Sequence, residues 1–472
     1  MHDLQILKDG GYGGAGLTKL KLNCVLSSFP EQILELGDTL EELDLSGTGL
    51  SSLPASFGTE LPSLRVARFS DCKFKTFPNE LASCPNLEVV CFRSNGMLEV
   101  PEDALPTSLR SLALTGNNIA SLPPSIGRCT HLEKGLLAGN QLRGLPVGMA
   151  QCTKLRLLRL NSNRLESLPE WLLTLPDLAF LSFTRNPCAS PVVNGAKTPF
   201  GLASISWTDI EVQDLSERDP SHPASQGLWK QSEHYAEDVA IQLFRGNPTD
   251  SGAPADELAA RLASGSHESL VTILGQVYEH PDENDSTVPP QAGAYHGGIV
   301  TQIIPPCYTP LGHPPSPETY PRDGFPAQEG TELSASCAVS MLTGLAGAAA
   351  HLHGRGISHG DLCAHNILAS REDEHALLGG FGAATVYGRD HPQGGRIEKV
   401  EVLAFAHLVE DMLGLLSAED AELSIEELKK LHAKCASAEV DSRPTFEEIV
   451  EELEGMMDWR GMMRIPTVPV PS

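Results

Sequence analysis

The sequence predicts a multidomain chain in which an α/β solenoid of short repeats precedes an α+β region of a different kind. Three observations lead to this prediction. A leucine recurs at a nearly constant interval from Leu17 to Leu178, the repeat stops at a Pro- and Gly-bearing stretch after Asn186, and the sequence that follows alternates strand-like and helix-like apolar runs. The length of 472 residues is consistent with about two to four domains.

The repeated leucines are spaced by 22 to 24 residues: Leu17, Leu40, Leu64, Leu87, Leu109, Leu132, Leu155 and Leu178. Residues 155–177, LRLLRLNSNRLESLPEWLLTLPD, follow the pattern LxxLxLxxNxL and continue into a proline-bearing turn. A period of about 20–29 residues with this pattern is the signature of a leucine-rich repeat. Because alternate residues of a strand point to one face, the leucines are expected to fill a solenoid core. We therefore predict a leucine-rich-repeat horseshoe over residues 17–189, after a lead-in of residues 1–16.

An asparagine recurs at a fixed position of the later repeats and predicts a structural ladder of hydrogen bonds to neighbouring backbone turns: Asn95, Asn117, Asn140, Asn163 and Asn186. The earlier repeats carry Val25, Thr48 and Cys72 at this position, so the ladder is expected to be imperfect at its N-terminal end.

The concave face of the predicted horseshoe carries mostly charged side chains, with Leu136, Leu157 and Phe180 as apolar points near the last repeats. We interpret this surface as a binding site for protein partners, with these three residues as contacts. The sequence also allows two alternatives. Isolated apolar residues are normal on any protein surface, and Leu157 and Phe180 are also suited to packing against the following domain.

The overall charge excludes some partners. A formal net charge of -27 disfavours nucleic acid and anionic membrane surfaces, since both attract basic patches. No signal-peptide pattern opens the sequence, and we expect no membrane span, because a spanning helix needs about 20 consecutive apolar residues. The 11 cysteines are scattered without a paired framework, which is typical of reduced thiols. We expect a cytoplasmic protein, with the nucleus as the alternative.

The chemistry-bearing stretch lies at residues 351–385, HLHGRGISHGDLCAHNILASREDEHALLGGFGAAT. It contains His359-Gly360-Asp361-Leu362 with Asn366 five residues after the aspartate, followed by Gly380-Phe381-Gly382. This stretch resembles the catalytic loop H-R-D-L-x-x-x-x-N and the D-F-G motif of protein kinases. The resemblance implies that Asp361 is a catalytic base and Asn366 a ligand of Mg²⁺, with ATP and Mg²⁺ as cofactors of a functional site. Gly380 stands where the family has its metal-binding aspartate.

Other family positions for ATP are also altered. Val239, Ala240 and Ile241 match the strand motif V-A-I-K, but Gln242 replaces the phosphate-binding lysine. Glu257, on a predicted helix PADELAARLASG, matches the glutamate that pairs with that lysine. Without the lysine, Glu257 is expected to have no cationic partner. Lys230 is the one candidate for a relocated lysine, because no lysine follows it before Lys399; with-no-lysine kinases use such a relocation. Gly227 stands alone where a glycine-rich loop is expected, and no A-P-E motif follows the GFG.

Taken together, the chain resembles soluble leucine-rich-repeat protein kinases and is interpreted as a degenerate, pseudokinase-like member. The resemblance implies a two-lobed protein-kinase-like fold over residues 205–460. The proline and glycine content after Asn186 predicts a cap and linker at 190–204, and we expect a disordered tail at 461–472. The first functional hypothesis is a pseudokinase scaffold or signalling regulator whose repeats bind protein partners. The second is an active but atypical serine/threonine kinase, and the third is a repeat interaction module with a passive second domain.

Overall fold

The structure analysed is a computed structural model, and it describes residues 5–7, 9, 16–189, 202–213, 224–232, 234–246, 249, 252–281, 295–315, 332–416 and 422–463. The chain divides into two compact units. The first comprises Met1–Pro191 with Pro248–Gly252, and the second comprises Val192–Asn247 with Ala253–Ser472.

The first unit is built on one parallel sheet of eight three-residue strands: β1 (Lys19–Lys21), β2 (Glu42–Asp44), β3 (Val66–Arg68), β4 (Val89–Cys91), β5 (Ser111–Ala113), β6 (Lys134–Leu136), β7 (Leu157–Arg159) and β8 (Phe180–Ser182). The strands lie in sequence order, each paired in parallel with the next. Every strand begins two residues after a repeat leucine, and from Leu40 onwards each of these leucines is fully buried. The predicted leucine-rich-repeat solenoid is therefore confirmed for residues 19–182.

Short helical turns connect the strands: the 3₁₀ turns Glu31–Leu36, Asn79–Ser83, Pro124–Arg128, Val147–Gln151 and Glu170–Thr174, and a single α-helical turn, α1 (Phe57–Glu60). A proline immediately precedes each 3₁₀ turn, at Pro30, Pro78, Pro123, Pro146 and Pro169, with φ between −66° and −73°. Proline is suited to this position because its ring fixes φ near this value.

The second unit contains a curled half-barrel sheet of six strands: β9 (Ala203–Ser206), β10 (Ile210–Val212), β11 (Ala224–Ser232), β12 (Tyr235–Arg245), β13 (Ile273–Tyr278) and β14 (Tyr295–Gln302). The strand order is β10-β11-β12-β14-β13-β9; β9 and β13 are parallel, and the other neighbours are antiparallel. Helix α2 (Pro254–Ser264) packs Leu258 and Leu262 against Phe244 and Ile299 of this sheet. A 3₁₀ turn, Trp207–Asp209, separates β9 from β10.

The rest of the second unit is mainly helical, with α3 (Ala335–Gly354), α4 (Gly394–Leu413), α5 (Glu422–Cys435) and α6 (Phe446–Met463). Helix α3 packs against α6, and α4 packs against α5. Five short strands lie among them: β15 (Thr309–Pro310), β16 (Ile357–Ser358), β17 (Ile367–Ser370), β18 (His375–Leu378) and β19 (Thr385–Val386). Strands β15, β17 and β18 form one small sheet, and β16 pairs with β19. This arrangement is a mixed α/β region and does not by itself define a protein-kinase fold.

Helix α3 departs from the expectation that no apolar segment approaches the length of a span. Within the described part of the chain it is the single helix whose length and hydropathy match a membrane-crossing segment. However, 61% of its apolar window is buried inside the protein, and alanine and glycine allow its neighbours to approach closely. Burial of this kind is typical of a core helix.

The element boundaries differ slightly from the predicted segments. Strand β9 begins at Ala203, inside the stretch assigned to the linker, and α6 continues to Met463, beyond residue 460. Residues 464–472 of the predicted tail, like most of the predicted linker, lie outside the described residues.

Candidate functional site

The loop that carries Asp361 and Asn366 connects β16 to β17, and a buried carboxylate of α4 holds its backbone. Glu401 Oε1 accepts a hydrogen bond from the backbone N–H of Gly360 at 2.5 Å, and Oε2 accepts one from the backbone N–H of His359 at 3.1 Å. His353 Nε2 lies 2.7 Å from the same Oε2, and both side chains are only 4% exposed. Glu401 therefore fixes the start of the loop from within the core.

Glu401 is a charged anchor despite its burial. Burial alone raises the pKa of this carboxyl, but the hydrogen bond from His353, the charges of His353 and His359, and the Gly360 N–H together hold its pKa below the usual range. Sequence reasoning missed this residue. The available signal was a single acidic residue in an otherwise apolar run, VEVLAFA at 400–406, since buried charges are rare unless they are paired.

The structure brings the side chains of Asp361 and Asn366 together. Asn366 Nδ2 donates to the carbonyl oxygen of Asp361 at 2.8 Å and lies 3.3 Å from its Oδ2. The backbone oxygen of Asn366 also accepts a hydrogen bond from the Gly379 N–H at 2.8 Å, which ties this loop to the GFG segment. The two residues expected to act as base and metal ligand thus lie side by side, beside the position of the missing aspartate.

Gly380 faces Asn366 at close range. It adopts the left-handed conformation, with φ 67° and ψ 46°, which favours glycine. A Cβ built at this position would overlap Oδ1 and Cγ of Asn366. The Asn366 side chain therefore occupies the space into which a residue at position 380 would project. Asn366 Oδ1 is an oxygen of the kind that binds Mg²⁺. It faces Gly380, which has no carboxylate to act as a second ligand.

Phe381 joins this loop to helix α2. The ring of His359 meets the ring of Phe381 edge-on at 5.0 Å between centroids, and His359 Nε2 lies 2.6 Å from the Gly379 carbonyl oxygen. On the other side, Arg261 Cζ lies 5.3 Å from the Phe381 centroid. Arg261 is 6% exposed, and its buried Nε has no hydrogen-bond partner within the described ranges. No sequence pattern predicts this buried cation, which stacks on an aromatic ring.

Gln242 and Glu257 do meet. Gln242 Nε2 donates to Glu257 Oε1 at 3.5 Å, the long end of hydrogen-bonding distance. Burial raises the pKa of the Glu257 carboxyl, while the charge of Arg261 and the Gln242 hydrogen bond oppose that shift. The expectation that Glu257 lacks a cationic neighbour is therefore corrected, because Arg261 lies one helical turn further along α2.

Lys230 lies elsewhere. Its Nζ pairs with Glu211 Oε2 at 2.9 Å, and both side chains are more than half exposed. In the β11–β12 ladder Lys230 is opposite Ala236, six residues before Gln242 on the same strand. At about 3.3 Å per residue, that separation is roughly 20 Å. The structure does not bring Lys230 to Gln242 and Glu257, so its predicted role as a relocated lysine has no geometric support.

Gly227 has a packing role in the strand. It lies within β11, opposite Val239, and a Cβ on it would overlap Ile241 Cδ1 and approach the Glu211 carbonyl oxygen at 3.0 Å. Glycine at this position therefore lets neighbouring strands approach closely. The connection between β10 and β11 contains no glycine in the sequence QDLSERDPSHP, and residues 214–223 of it lie outside the described ranges.

In the first unit the asparagines make the hydrogen bonds of a ladder. Asn117 is representative: its Oδ1 accepts from the N–H of Asn95 at 3.1 Å and of Met97 at 2.9 Å, and its Nδ2 donates to the carbonyl oxygens of Phe92 and Leu114, both at 2.8 Å. The remaining four make corresponding bonds to adjacent turns: Asn95, Asn140, Asn163 and Asn186.

The earlier repeats fill the same position with weaker groups. Thr48 Oγ1 donates to the Leu45 carbonyl oxygen at 2.6 Å, and Cys72 Sγ donates to that oxygen at 3.3 Å. Val25 of the first repeat is 86% exposed and, being apolar, has no side-chain donor to offer. The ladder therefore weakens toward the N-terminal end of the solenoid.

The predicted partner contacts differ in accessibility. Leu136 is only 3% exposed, so its prediction as an accessible contact is not supported, whereas Leu157 and Phe180 are half-buried. The concave side of the first strands instead presents ion pairs. Lys19 and Glu42 pair at 2.7 Å, and Arg68 extends this row to the third strand at 3.6 Å from Glu42.

These features define the class of protein: the chain is a leucine-rich-repeat protein with an N-terminal region of parallel-sheet repeats. A family model described as Leucine Rich Repeat matches residues 39–59. The chain is also similar to the leucine-rich repeat-containing G-protein coupled receptor 5 of Rattus norvegicus, with 35% identity over 101 residues. That match covers 20% of this chain and 11% of the receptor. Neither comparison extends the similarity to a kinase domain.

Proposed function

We propose that the chain is an interaction protein whose repeats bind protein partners and whose second unit is a protein-kinase-like domain without phosphotransfer activity, a pseudokinase scaffold. The observation that carries the proposal is the contact between Gly380 and Asn366. The asparagine side chain occupies the space into which residue 380 would project, on the loop that also bears Asp361. We further propose a cytoplasmic location.

The chemical argument concerns charge. Phosphoryl transfer depends on positioning the phosphates and on neutralising the charge that develops on them, for which kinases use a lysine and a metal-binding aspartate. Here a neutral amide, Gln242, faces Glu257, and Gly380 has no side chain. Loss of one preorganised electrostatic group costs about 10²–10³ in rate, so two such losses leave little catalysis.

An active, atypical kinase is the second candidate, and one specific observation favours it. Asp361 and Asn366 are both retained, and a hydrogen bond joins them. Glu401 also holds the backbone of Gly360 at the start of their loop. The same contacts also suit a purely structural loop. Measured activity therefore separates the two readings.

The proposed absence of phosphotransfer activity is tested first by thermal unfolding of the full chain with ATP, with and without Mg²⁺. A ligand that binds the folded state raises apparent stability by mass action, so this measurement detects Mg²⁺-dependent ATP binding. We expect no Mg²⁺-dependent shift and no phosphate transfer. Phosphotransfer that is abolished in Asp361→Asn, with the fold intact, would overturn the pseudokinase proposal in favour of the active kinase.

The proposal for the repeats is tested with full-length variants in proximity labelling of cell extract. Phe180→Asp places a charge on strand β8, and Val147→Asp is the matched control, because Val147 is 76% exposed on a helical turn between strands. We expect the labelled partner set to change with Phe180→Asp and to persist with Val147→Asp. Identical sets for both variants and the wild type would exclude Phe180 as a contact. Deleting the second unit tests the third hypothesis, that this unit is passive.

A further inference from the structure

Three different metal-binding side chains converge on the loop between β16 and β17. Asp361, Cys363 and His365 alternate along the chain, and their donor atoms all lie within 4.8 Å of one another. Cys363 has an extended backbone (φ −149°, ψ 162°) and leads into the 3₁₀ turn Ala364–Asn366, which carries His365. This change of backbone direction brings a carboxylate, a thiol and an imidazole close together. Within the described residues this is the one group of three or more such side chains with that proximity.

The distances suit a small tetrahedral ion. With typical Zn–S and Zn–N bonds of about 2.3 and 2.05 Å at a tetrahedral angle, the sulfur and nitrogen ligands are separated by roughly 3.6 Å. Cys363 Sγ lies 3.2 Å from His365 Nδ1 and 3.8 Å from Nε2. One ring nitrogen binds the ion, and the distance to Nε2 is the closer of the two to that value. An Asp361 carboxylate oxygen lies within 4.8 Å of the donor atoms of both other residues.

The side-chain amide of Asn366 lies next to two of these donor groups, the Asp361 carboxylate and the Cys363 thiol. Its Nδ2 lies 3.3 Å from Cys363 Sγ and 3.3 Å from Asp361 Oδ2, in addition to its bond to the Asp361 carbonyl oxygen. An N–H that donates to a thiolate and a carboxylate stabilises the charged forms that bind metal, which is the usual task of groups behind a metal's direct ligands. This geometry gives the Asn366 amide nitrogen a role distinct from direct binding of Mg²⁺.

We propose that Asp361, Cys363 and His365 form a binding site for a thiophilic divalent cation, with Zn²⁺ as the best match. A thiolate and an imidazole favour Zn²⁺ over Mg²⁺, which prefers oxygen ligands, and three protein ligands leave one position of a tetrahedral ion open. All three side chains are half-buried and therefore reachable. The proposal rests on these donor atoms alone and holds whether or not the second unit is kinase-like.

The test is site-resolved alkylation of the full-length protein. The protein is stripped with a chelator, incubated with or without Zn²⁺, treated with iodoacetamide and analysed by peptide mass spectrometry. At a Zn²⁺ concentration about ten times the dissociation constant, the free site falls to about one-tenth, so alkylation of Cys363 slows about tenfold. Cys307 is the internal control, because it is exposed and has Asp373 within 3.5 Å but belongs to no such group in the described residues.

Buried cysteines in the same molecule report on folding. Burial raises the pKa of Cys84 and Cys152 to about 12, so both stay unmodified while the protein is folded. His365→Ala and Asp361→Asn keep the thiol and remove one ligand each. We expect both to lose protection of Cys363 at the same Zn²⁺ concentration, with Cys84 and Cys152 still silent.

Three outcomes would overturn the proposal. If Zn²⁺ does not change the alkylation of Cys363, the site is excluded. If Zn²⁺ protects Cys363 equally in His365→Ala and in the wild type, His365 is not a ligand and the metal binds the Cys363 thiol alone. Equal protection by Mg²⁺ at the same concentration contradicts the assignment of a thiophilic ion. None of these results depends on phosphotransfer activity, so they are distinguishable from failure of the pseudokinase proposal.

Discussion

Gln242 on β12 and Glu257 on α2 are joined by a hydrogen bond of 3.5 Å between a neutral amide and a carboxylate. The pair links the curled sheet to the helix that packs on it, and the neighbouring cation, Arg261, stacks on Phe381 instead of closing an ion pair with Glu257. The link between strand and helix therefore persists although the cationic partner expected on the strand is absent.

Replacing Gln242 by leucine is expected to destabilise the second unit by about 1–3 kcal/mol, because the partly buried Glu257 carboxylate would lose its hydrogen bond. Gln242→Lys is the matched variant and should stay within about 1 kcal/mol of the wild type, since a new ion pair offsets its own desolvation. Denaturant unfolding measures both changes. Phosphotransfer gained by Gln242→Lys alone would contradict the proposed role of Gly380.

Two adjacent glycines give a sharp comparison at the GFG segment. Gly380→Ala should cost about 1–3 kcal/mol, because its left-handed backbone disfavours a side chain and the new Cβ overlaps Asn366. Gly379→Ala should cost less, because its Cβ would lie at an ordinary 3.5 Å from the Asn366 carbonyl oxygen. Equal free energies of unfolding for the two variants would show that Asn366 moves aside freely.

Glu401→Gln is expected to destabilise the second unit by about 3–5 kcal/mol, the typical cost of breaking a buried, hydrogen-bonded charge pair. The pKa of Glu401 in the folded state lies below its ordinary value of 4.5. Its contribution is therefore fully present above about pH 4.5 and is lost as the pH falls through the lower folded value. Unfolding measured from pH 7 to pH 3 should show the difference between variant and wild type shrinking only at the acidic end.

The asparagine ladder predicts a strong position dependence within the solenoid. Asn117→Ala removes four hydrogen bonds to buried backbone groups, and an unsatisfied buried group costs about 1–3 kcal/mol. Val25→Ala, at the corresponding position of the first repeat, should change stability by less than about 0.5 kcal/mol because that side chain is exposed. A similar loss for both variants in thermal unfolding would contradict the ladder as a source of stability.

Lys230→Ala tests the relocated lysine directly. Because this side chain is exposed and paired only with an exposed carboxylate in the described residues, we expect an unchanged melting temperature and an unchanged response to ATP. If ATP raises the melting temperature of the wild type and Lys230→Ala abolishes that rise, Lys230 contacts nucleotide in a conformation other than this one. Glu211→Gln serves as the control for the ion pair itself.

The repeats were predictable because their periodicity is local: each leucine sets its own strand two residues later, from Leu17 to Leu178. Gln242 and Glu257 were also identified from spacing and motif, although the hydrogen bond between them was not predicted. Glu401 and Arg261 were not, because their partners lie far along the sequence. Glu401 meets Gly360 across 41 residues, and Arg261 meets Phe381 through tertiary packing. Such pairings depend on the folded arrangement and leave little trace in a single sequence.

The side chains at the ladder position change from Val25 through Thr48 and Cys72 to the five asparagines. The N-terminal end of the solenoid should therefore resist unfolding under force less than the C-terminal end. In a repeat array each turn is stabilised mainly by its neighbours, so loss of structure spreads from the weaker terminus. Pulling on the N-terminal end should peel away the first three turns at low force, one after another. The later turns should hold until a higher force and then give way together.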